Sequence, residues 1–384
     1  MAICMAGISK WFGKNQVVKE LSLRVADGEF LVLLGASGSG KSTVLRMVAG
    51  LTMPDTGQIL LNGMDITRTK PQERGFGYVF QNYSIFPHMT VAENIAFGLK
   101  IRKKNPAERR ERVENLLHLV GMEGLGERYA GQLSGGQLQR VALARSLAYD
   151  PKVLLLDEPF GALDAKIRVQ LRHSVRNIVR EIGVTTIMVT HDQDEAFEMA
   201  DRIAVLNQGR IEQVGGASDI YYNPTTCFTA NFVGDMNMFE GTVTGSDTEN
   251  CEIGLSGGVR IRRRGKHPFL PGQRVLYGVR PEQMRVSLLE PASHENGIPG
   301  VIENCLFLGR TSQYGIRLSD RRLLSVCLLN YLFMDGMTVP YEMNEEVWLI
   351  WSQGAGIILA HGEISVGPTA FEMEPEGRRQ GFEG

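Results

Sequence analysis

The stretch Gly35-Ala36-Ser37-Gly38-Ser39-Gly40-Lys41-Ser42-Thr43 sets glycines, a lysine and hydroxyls in the spacing G-x-x-x-x-G-K-[ST]. The chemistry such a set can do is anion capture. Glycines let successive backbone N–H groups turn into one concavity without Cβ clashes. A helix starting there adds the positive end of its dipole. Lys41 can then reach the β- and γ-phosphates of a nucleotide, and the Ser42 hydroxyl suits Mg²⁺. A second candidate pair, Asp157 and Glu158, ends the apolar run KVLLLDE. Carboxylates are costly to bury unpaired. At the carboxyl end of a parallel strand, however, they face the crevice where ligands of open α/β sheets sit. Asp157 is then placed for Mg²⁺, and Glu158 to orient or activate a water. The alternative is a salt-bridged pair at a strand end.

Four further groups have two readings each. His191 follows the apolar run Val184 to Val189 inside Thr190-His191-Asp192; it either reaches a γ-phosphate or is held in local hydrogen bonds. Gln81 ends a short strand, Arg74 to Phe80; a lone glutamine usually decorates the surface, but its place at the end of a buried run sets it apart. Ser134 and Gln137 flank Gly135 and Gly136 and form a capping-box pattern. Two glycines are poor helix formers. They suit a backbone that an anion approaches closely, or else a loose helix start. Trp11 and Phe12 precede Gly13; an aromatic face can carry a base, but spacing alone favours strand packing.

These residues need elements to position them. Phe30 to Leu34 is an apolar run that reads as a strand buried on both faces of a parallel sheet. Val44, Leu45, Val48 and Ala49 have helical spacing. Met1 to Asp27 reads as short strands and turns, and Gly57 to Asn62 as a strand closed by the turn pair Asn62-Gly63. From Val91 to Ala148 the pattern is helical. Within it Asn105, Pro106 and Glu108 mark the start of a charge-dense helix with a solvated face. Gly161 to Asp164 reads as a tight turn and Ile203 to Ile211 as a hairpin. The composition shifts around Asn231 to Asn237. Beyond it short strands are predicted at Phe239–Thr244, Gly258–Arg262, Arg274–Gly278, Met284–Leu289, Gly300–Leu306, Tyr314–Leu318, Leu323–Cys327 and Val347–Ile350. Their even spacing predicts a small barrel or sandwich. MFEGTV and IPGVIENCLFLG resemble one another and hint at a duplicated unit. Trp348 and Trp351 read as packing residues, and Pro368 to Gly384 as a polar, disordered tail.

The 384-residue length allows more than one domain. A net charge of −2 gives no basic excess to suggest nucleic acid as the main partner. The cysteines, Cys4, Cys227, Cys251, Cys305 and Cys327, are scattered without a C-x-x-C pair and read as reduced thiols of a cytosolic protein. No apolar run approaches the roughly 18 to 20 residues of a membrane span, and no signal-peptide pattern opens the chain.

The ordered set GASGSGKST, VFQ ending in Gln81, LSGGQ, LLLDEP, GALD and Thr190-His191-Asp192 closely resembles the nucleotide-binding subunit of ATP-binding-cassette (ABC) transporters. The resemblance covers about residues 3 to 235. LSGGQ downstream of a P-loop discriminates this family from other P-loop NTPases. The fold it implies is an α/β P-loop NTPase core (1–235) with a helical subdomain at about 83–150. An all-β, OB-like accessory barrel of the TOBE type (236–366) and a tail (367–384) follow. It also implies ATP and Mg²⁺ as cofactors. Phe12, with Trp11 beside it as the alternative, then corresponds to the adenine-stacking aromatic, which reverses the packing reading. Gly35 to Thr43 is the phosphate loop. Gln81 senses Mg²⁺, the attacking water and the membrane subunit. Ser134, Gly135, Gly136 and Gln137 cap the γ-phosphate of ATP held by a second copy. Asp157 is the Mg²⁺-associated carboxylate, Glu158 the catalytic base, Asp164 the cross-dimer contact and His191 the γ-phosphate switch. Leu138 departs from the family, which usually has a polar residue there.

Gly278-Val279-Arg280-Pro281-Glu282 and Phe307-Leu308-Gly309 resemble the accessory barrel of importers for sugars, polyamines, sulfate and similar solutes. GDMNMFEG is closest to polyamine importers and DEPFGALDAKIR to sulfate importers, so the cues for the solute conflict. The implied partners are a second copy, integral permease subunits and, indirectly, a solute-binding protein. The implied location is the cytoplasmic side of the cell membrane. The readings from other classes are a soluble, non-transport cassette ATPase and a regulatory cassette protein. The first favours two cassettes in one chain or a long coiled coil, and neither is present here.

Overall fold

A computed structural model describes residues 2–161, 165–330 and 341–361. The chain packs as two units that divide between Ile220 and Tyr221. The stretch 221–235 therefore goes with the second unit, ahead of the composition shift.

The first unit holds two sheets. One is antiparallel, in the order β2 (Asn15–Val25), β1 (Ile3–Phe12), β4 (Thr56–Leu61), β5 (Met64–Asp65). The sequence reading expected short strands here. The structure instead has two long ones, whose pairing is broken by register shifts at Met5/Ile8, Ile8/Lys10 and Lys10/Trp11. Such irregularities bend a strand without ending it. The other sheet carries the candidate site. Its order is β10 (Arg210–Gly215), β9 (Arg202–Asn207), β3 (Phe30–Leu34), β8 (Thr185–Thr190), β7 (Val153–Asp157), β6 (Phe76–Val79). Every pairing in it is parallel except β10 with β9.

Every residue of β3, β7 and β8 is buried, as strands covered on both faces must be. Alternation sends Leu31, Leu33, Val153, Leu155, Ile187 and Val189 to one face. There they join one core with Val44, Leu45, Met47 and Val48 of α1 (Lys41–Ala49). Arg74, expected to open a strand, ends the short helix α2 (Pro71–Arg74) instead. It is buried and donates to the carbonyls of Met47 (3.0 Å) and Val48 (2.7 Å), and of Thr67 (3.0 Å) and Thr69 (2.9 Å). A cation at those orphan carbonyls closes the end of α1 and complements its dipole. It thereby fixes the helix whose other end is the phosphate loop.

The helical segment contains α3 (Val91–Ile101), α4 (Pro106–Leu119) and α5 (Gly135–Leu147), with α3 packed on the other two. Asn105 caps α4 as expected, accepting from the Glu108 N–H at 2.8 Å. The Glu108 side chain turns to Lys104 and gives no reciprocal bond. Helices α6 (Ala165–Ile182) and α7 (Gln193–Met199) follow, and the division between units falls in α8 (Ala217–Tyr222). None of the helices among the described residues is long and apolar enough to cross a membrane.

The second unit begins with α9 (Cys227–Phe232) and builds two antiparallel five-stranded sheets. One is ordered β13 (Arg260–Arg264), β12 (Asn250–Leu255), β11 (Asn237–Ser246), β14 (Arg274–Val279), β20 (Ile357–Ala360). The other is β18 (Leu323–Leu329), β17 (Thr311–Arg317), β16 (Glu295–Phe307), β19 (Glu346–Ser352), β15 (Arg285–Ser287). Both sheets contribute to one core. Strands β12 and β20 were not expected. Trp351 is buried in the core, stacked on Phe239, while Trp348 is half-buried.

The repeat seen in the sequence is carried by the backbone. A Cβ on Gly241 of β11 would meet Ile253 Cγ2 at 2.4 Å, and one on Gly300 of β16 would meet Ile316 Cγ2 at 2.6 Å. Each half also closes the other's edge strand with a buried asparagine. Asn237 exchanges two bonds with the backbone of Ser325 in β18 (2.7 and 2.9 Å). Asn296 does the same with Arg262 in β13 (2.8 Å each). An amide side chain there satisfies edge groups that would otherwise template pairing with another chain.

Asn296→Ala strips both bonds from Arg262. Unsatisfied buried groups cost about 1–3 kcal/mol each, so the unfolding transition of this unit is expected to move to lower urea, read by the fluorescence of Trp348 and Trp351. An unchanged midpoint contradicts the closing role.

Candidate functional site

The site forms at the carboxyl ends of β3, β7 and β8. After Leu34 the chain turns through Gly35 to Gly40 and enters α1 at Lys41. Gly38 and Gly40 take left-handed φ values of 79° and 103°, and no side chain caps the helix. The first N–H groups of α1 therefore face the loop uncapped, the arrangement that binds anions. A Cβ on Gly35 would lie 2.3 Å from the Leu206 carbonyl oxygen and 2.7 Å from Ser39 Oγ. The Ser39 hydroxyl is buried and has no hydrogen-bond partner among the described residues. A glycine-lined cradle with an orphaned hydroxyl fits a nucleotide phosphate. Lys41 is 5% exposed and its Nζ donates to the carbonyls of Gly35 (2.7 Å) and Ala36 (2.8 Å). Burial pulls its ammonium below the ordinary lysine range, against the attraction of Glu158 and Asp157.

Asp157, the last residue of β7, is buried. Ser42 donates to its Oδ1 at 2.9 Å and Tyr78 to its Oδ2 at 2.9 Å. A serine hydroxyl and a carboxylate in contact are the hard oxygen donors Mg²⁺ takes, so the donor set fits that ion. Glu158 leaves the strand in a left-handed conformation, φ 44°. Its N–H is tied to the Val189 carbonyl of β8 at 3.1 Å. Left-handed backbone at a non-glycine residue costs of order 1–3 kcal/mol and collects at functional positions. The turn places its carboxylate between two groups. Gln81 Nε2 donates to one oxygen at 3.2 Å, and His191 Nδ1 stands 3.4 Å from the other.

His191 is held from below by its neighbours. The Asp192 N–H donates to Thr190 Oγ1 at 3.0 Å, and the Thr190 hydroxyl donates to the buried Glu195. Asp192 caps α7 by accepting from the Glu195 N–H at 3.2 Å. Burial raises the Glu195 carboxyl above the usual range, offset in part by the Thr190 bond.

The structure thus gathers the phosphate loop, Gln81, Asp157, Glu158 and His191. The other anticipated residues stand apart. Ser134 and Gln137 form the expected capping box at the start of α5, with bonds of 2.9 and 3.4 Å to each other. Ser134 and Gly135 are exposed. For Gly136 the close approach is to α6: a Cβ there would meet Leu171 Cδ1 at 3.0 Å and Ile167 Cγ2 at 3.2 Å. Phe12 is 52% exposed and Trp11 37%, and the Lys10 ammonium lies over the Phe12 ring, 5.7 Å from its centroid. Asp164 lies outside the described residues, as does the tail from 367 on. The sequence reading did not single out Tyr78, Thr190, Glu195 or Arg74. Only Tyr78 gave a signal, a polar tip inside an apolar strand.

Comparison with known proteins bears on this geometry. The ABC transporter family profile matches residues 18–161, and the TOBE domain profile matches residues 277–359. A sulfate/thiosulfate import ATP-binding protein of Thermosynechococcus vestitus is 56% identical over 258 residues, 66% of this chain and 77% of that relative. The chain belongs to the ABC transporter family. It is an ABC-type, ATP-binding ATPase with a P-loop α/β core and a TOBE domain. A sulfate/thiosulfate import ATP-binding protein of Synechococcus elongatus is 44% identical over 89% of this chain and 93% of its own length. A spermidine/putrescine import ATP-binding protein of Nitratidesulfovibrio vulgaris is 39% identical over 94% of this chain and 97% of its own. Among solved structures, a dimeric ATP-binding cassette in a post-hydrolysis state, bound to ADP and Pi, is 31% identical with a TM-score of 0.50. That match covers 56% of this chain and 98% of the other.

Gly35→Ala tests the cradle. Overpacking of this kind costs about 1–3 kcal/mol, so ATP affinity is expected to fall about 5- to 150-fold while the circular dichroism spectrum is kept. Unchanged affinity in a nucleotide titration contradicts it.

Proposed function

We propose that this chain is the ATP-hydrolysing subunit of a solute importer. In this reading it works as a pair of copies on the cytoplasmic face of the cell membrane, against integral permease subunits that a solute-binding protein supplies. The observation that carries the reading is the meeting of Gln81, Glu158 and His191 beside the Ser42–Asp157 pair at the strand ends.

In this reading ATP lies with its adenine on Phe12 and its phosphates in the loop Gly35 to Thr43. Ser42 and Asp157 hold Mg²⁺, with Gln81 beside them. Bound there, Mg²⁺ neutralises charge shared by the β- and γ-phosphates. Glu158 accepts the proton of the attacking water. Gln81 donates to one oxygen of that carboxylate and His191 stands beside the other, which orients the base. His191 also has the exposure to reach the γ-phosphate.

Ser134 to Gln137 belong to the exposed start of α5, and their hydrogen bonds run to each other. That supports a role toward ATP bound by the second copy, with Asp164 as a cross-dimer contact. Dimerisation then depends on the γ-phosphate, and its loss releases the pair. The helical segment passes the movement to the permease, and coupling of this kind is reciprocal. Identity to relatives favours a sulfate-type oxyanion as the solute, and the polyamine relative that spans nearly the whole chain supports the second reading, a polyamine.

Glu158→Gln is expected to bind ATP normally, to lose at least about a hundredfold in turnover, and to accumulate as an ATP-bound dimer on size exclusion. Normal turnover removes Glu158 from its role. Ser134→Arg is expected to keep ATP binding and abolish hydrolysis. Normal hydrolysis by the purified variant means that catalysis does not need the partner's α5.

A further inference from the structure

Asp157 is held on both sides. Its Oδ1 accepts from Ser42 of the phosphate loop, and its Oδ2 accepts from Tyr78 of β6, each at 2.9 Å. The second bond depends on strand order. β6 pairs with β7 in parallel, with Tyr78 opposite Leu155, so the long Tyr78 side chain reaches forward to the end of β7. Its ring lies 4.3 Å from that of Phe80, centroid to centroid, and packs on the core beneath the sheet. The hydroxyl therefore arrives in one place.

A carboxylate rotates broadly about its last torsion. With Ser42 alone, Asp157 would be anchored through one oxygen and could turn about that contact. A second donor on the other oxygen fixes the plane. A phenol has one O–H to donate, and Tyr78 gives it to Oδ2 of Asp157.

We propose that Tyr78 is a positioning residue for Asp157, locking the carboxylate so that its Oδ1 edge, shared with Ser42, is presented to the divalent cation of bound nucleotide. This rests on the reading of Asp157 and Ser42 as the metal-holding pair. Tyr78 touches neither nucleotide nor metal; it acts through the aspartate, as outer-shell partners of metal ligands do.

The test uses the full chain saturated with a non-hydrolysable ATP analogue. Mn²⁺ is titrated in, and protein-bound metal is read by electron paramagnetic resonance. Losing an outer-shell partner costs about 10–100-fold in metal affinity. Tyr78→Phe keeps the ring and is expected to weaken Mn²⁺ binding at least about tenfold, with analogue binding in EDTA and the apo thermal transition unchanged. In an Asp157→Asn background the same change is expected to have no further effect. Placing 4-aminophenylalanine at position 78 returns a donor on the same ring and is expected to restore the affinity, which also separates positioning from packing. Wild-type Mn²⁺ affinity in Tyr78→Phe overturns the proposal, as does an equal loss in the Asp157→Asn background or no rescue by the amino analogue. If the wild-type chain itself takes up no Mn²⁺ with the analogue, the metal-holding reading falls and this proposal with it.

Discussion

The contact on which the rest depends is the hydrogen bond between Ser42 and Asp157. It joins the start of α1 to the end of β7, two elements far apart in the chain. Almost everything around it keeps that short distance fixed. Fully buried parallel strands set the height of the aspartate. Arg74 closes the far end of α1, so the helix cannot slide along the sheet. Tyr78 fixes the carboxylate from the third strand. A phosphate loop needs its N–H groups and its metal-holding oxygens to agree within a fraction of an ångström. Here three separate elements enforce that agreement.

One residue further along, the backbone strain at Glu158 has a use. An extended residue there would continue β7 and point its side chain into the sheet's cover. The left-handed turn, tied down by the Val189 carbonyl, sends the carboxylate out between Gln81 and His191. The same logic shapes the His191 side, where the Thr190–Glu195 pair and the Asp192 cap build a rigid platform under an exposed imidazole. Rigid bases under exposed reactive groups suit a site that meets another subunit, because the partner's approach then decides when the arrangement is complete.

Much of this was legible in the sequence, for physical reasons that differ by residue. The phosphate loop could be read because glycine, lysine and serine at that spacing have few other uses beside a buried strand. Ser134 and Gln137 announced their capping box. Tyr78 showed only a polar tip in an apolar strand, because its role depends on β6 lying beside β7, a fact of sheet order rather than local pattern. Glu195 was hidden for a similar reason: its partner is the threonine before the histidine, across a turn. Arg74 reads as part of a strand because the apolar residues after it mask a one-turn helix. In Gly136 the demand for a small residue was legible but its cause was not, since the neighbour is α6. In the second unit the strand repeat was visible, whereas β12 escaped because asparagine, glutamate and glycine interrupt its apolar positions, and β20 because an apolar run of four residues is too short to separate strand from helix. The reciprocal asparagines appear only once the two halves are folded together.

In the proposed function one copy carries a phosphate cradle and a base, while the α5 start it presents serves another copy. The most direct measurement is specific ATPase activity across a dilution series, with the association state followed in parallel by mass photometry at saturating Mg²⁺-ATP. Activity per molecule is expected to fall in proportion to the dimer fraction as the protein is diluted. Constant activity per molecule in samples that are monomeric throughout contradicts the account.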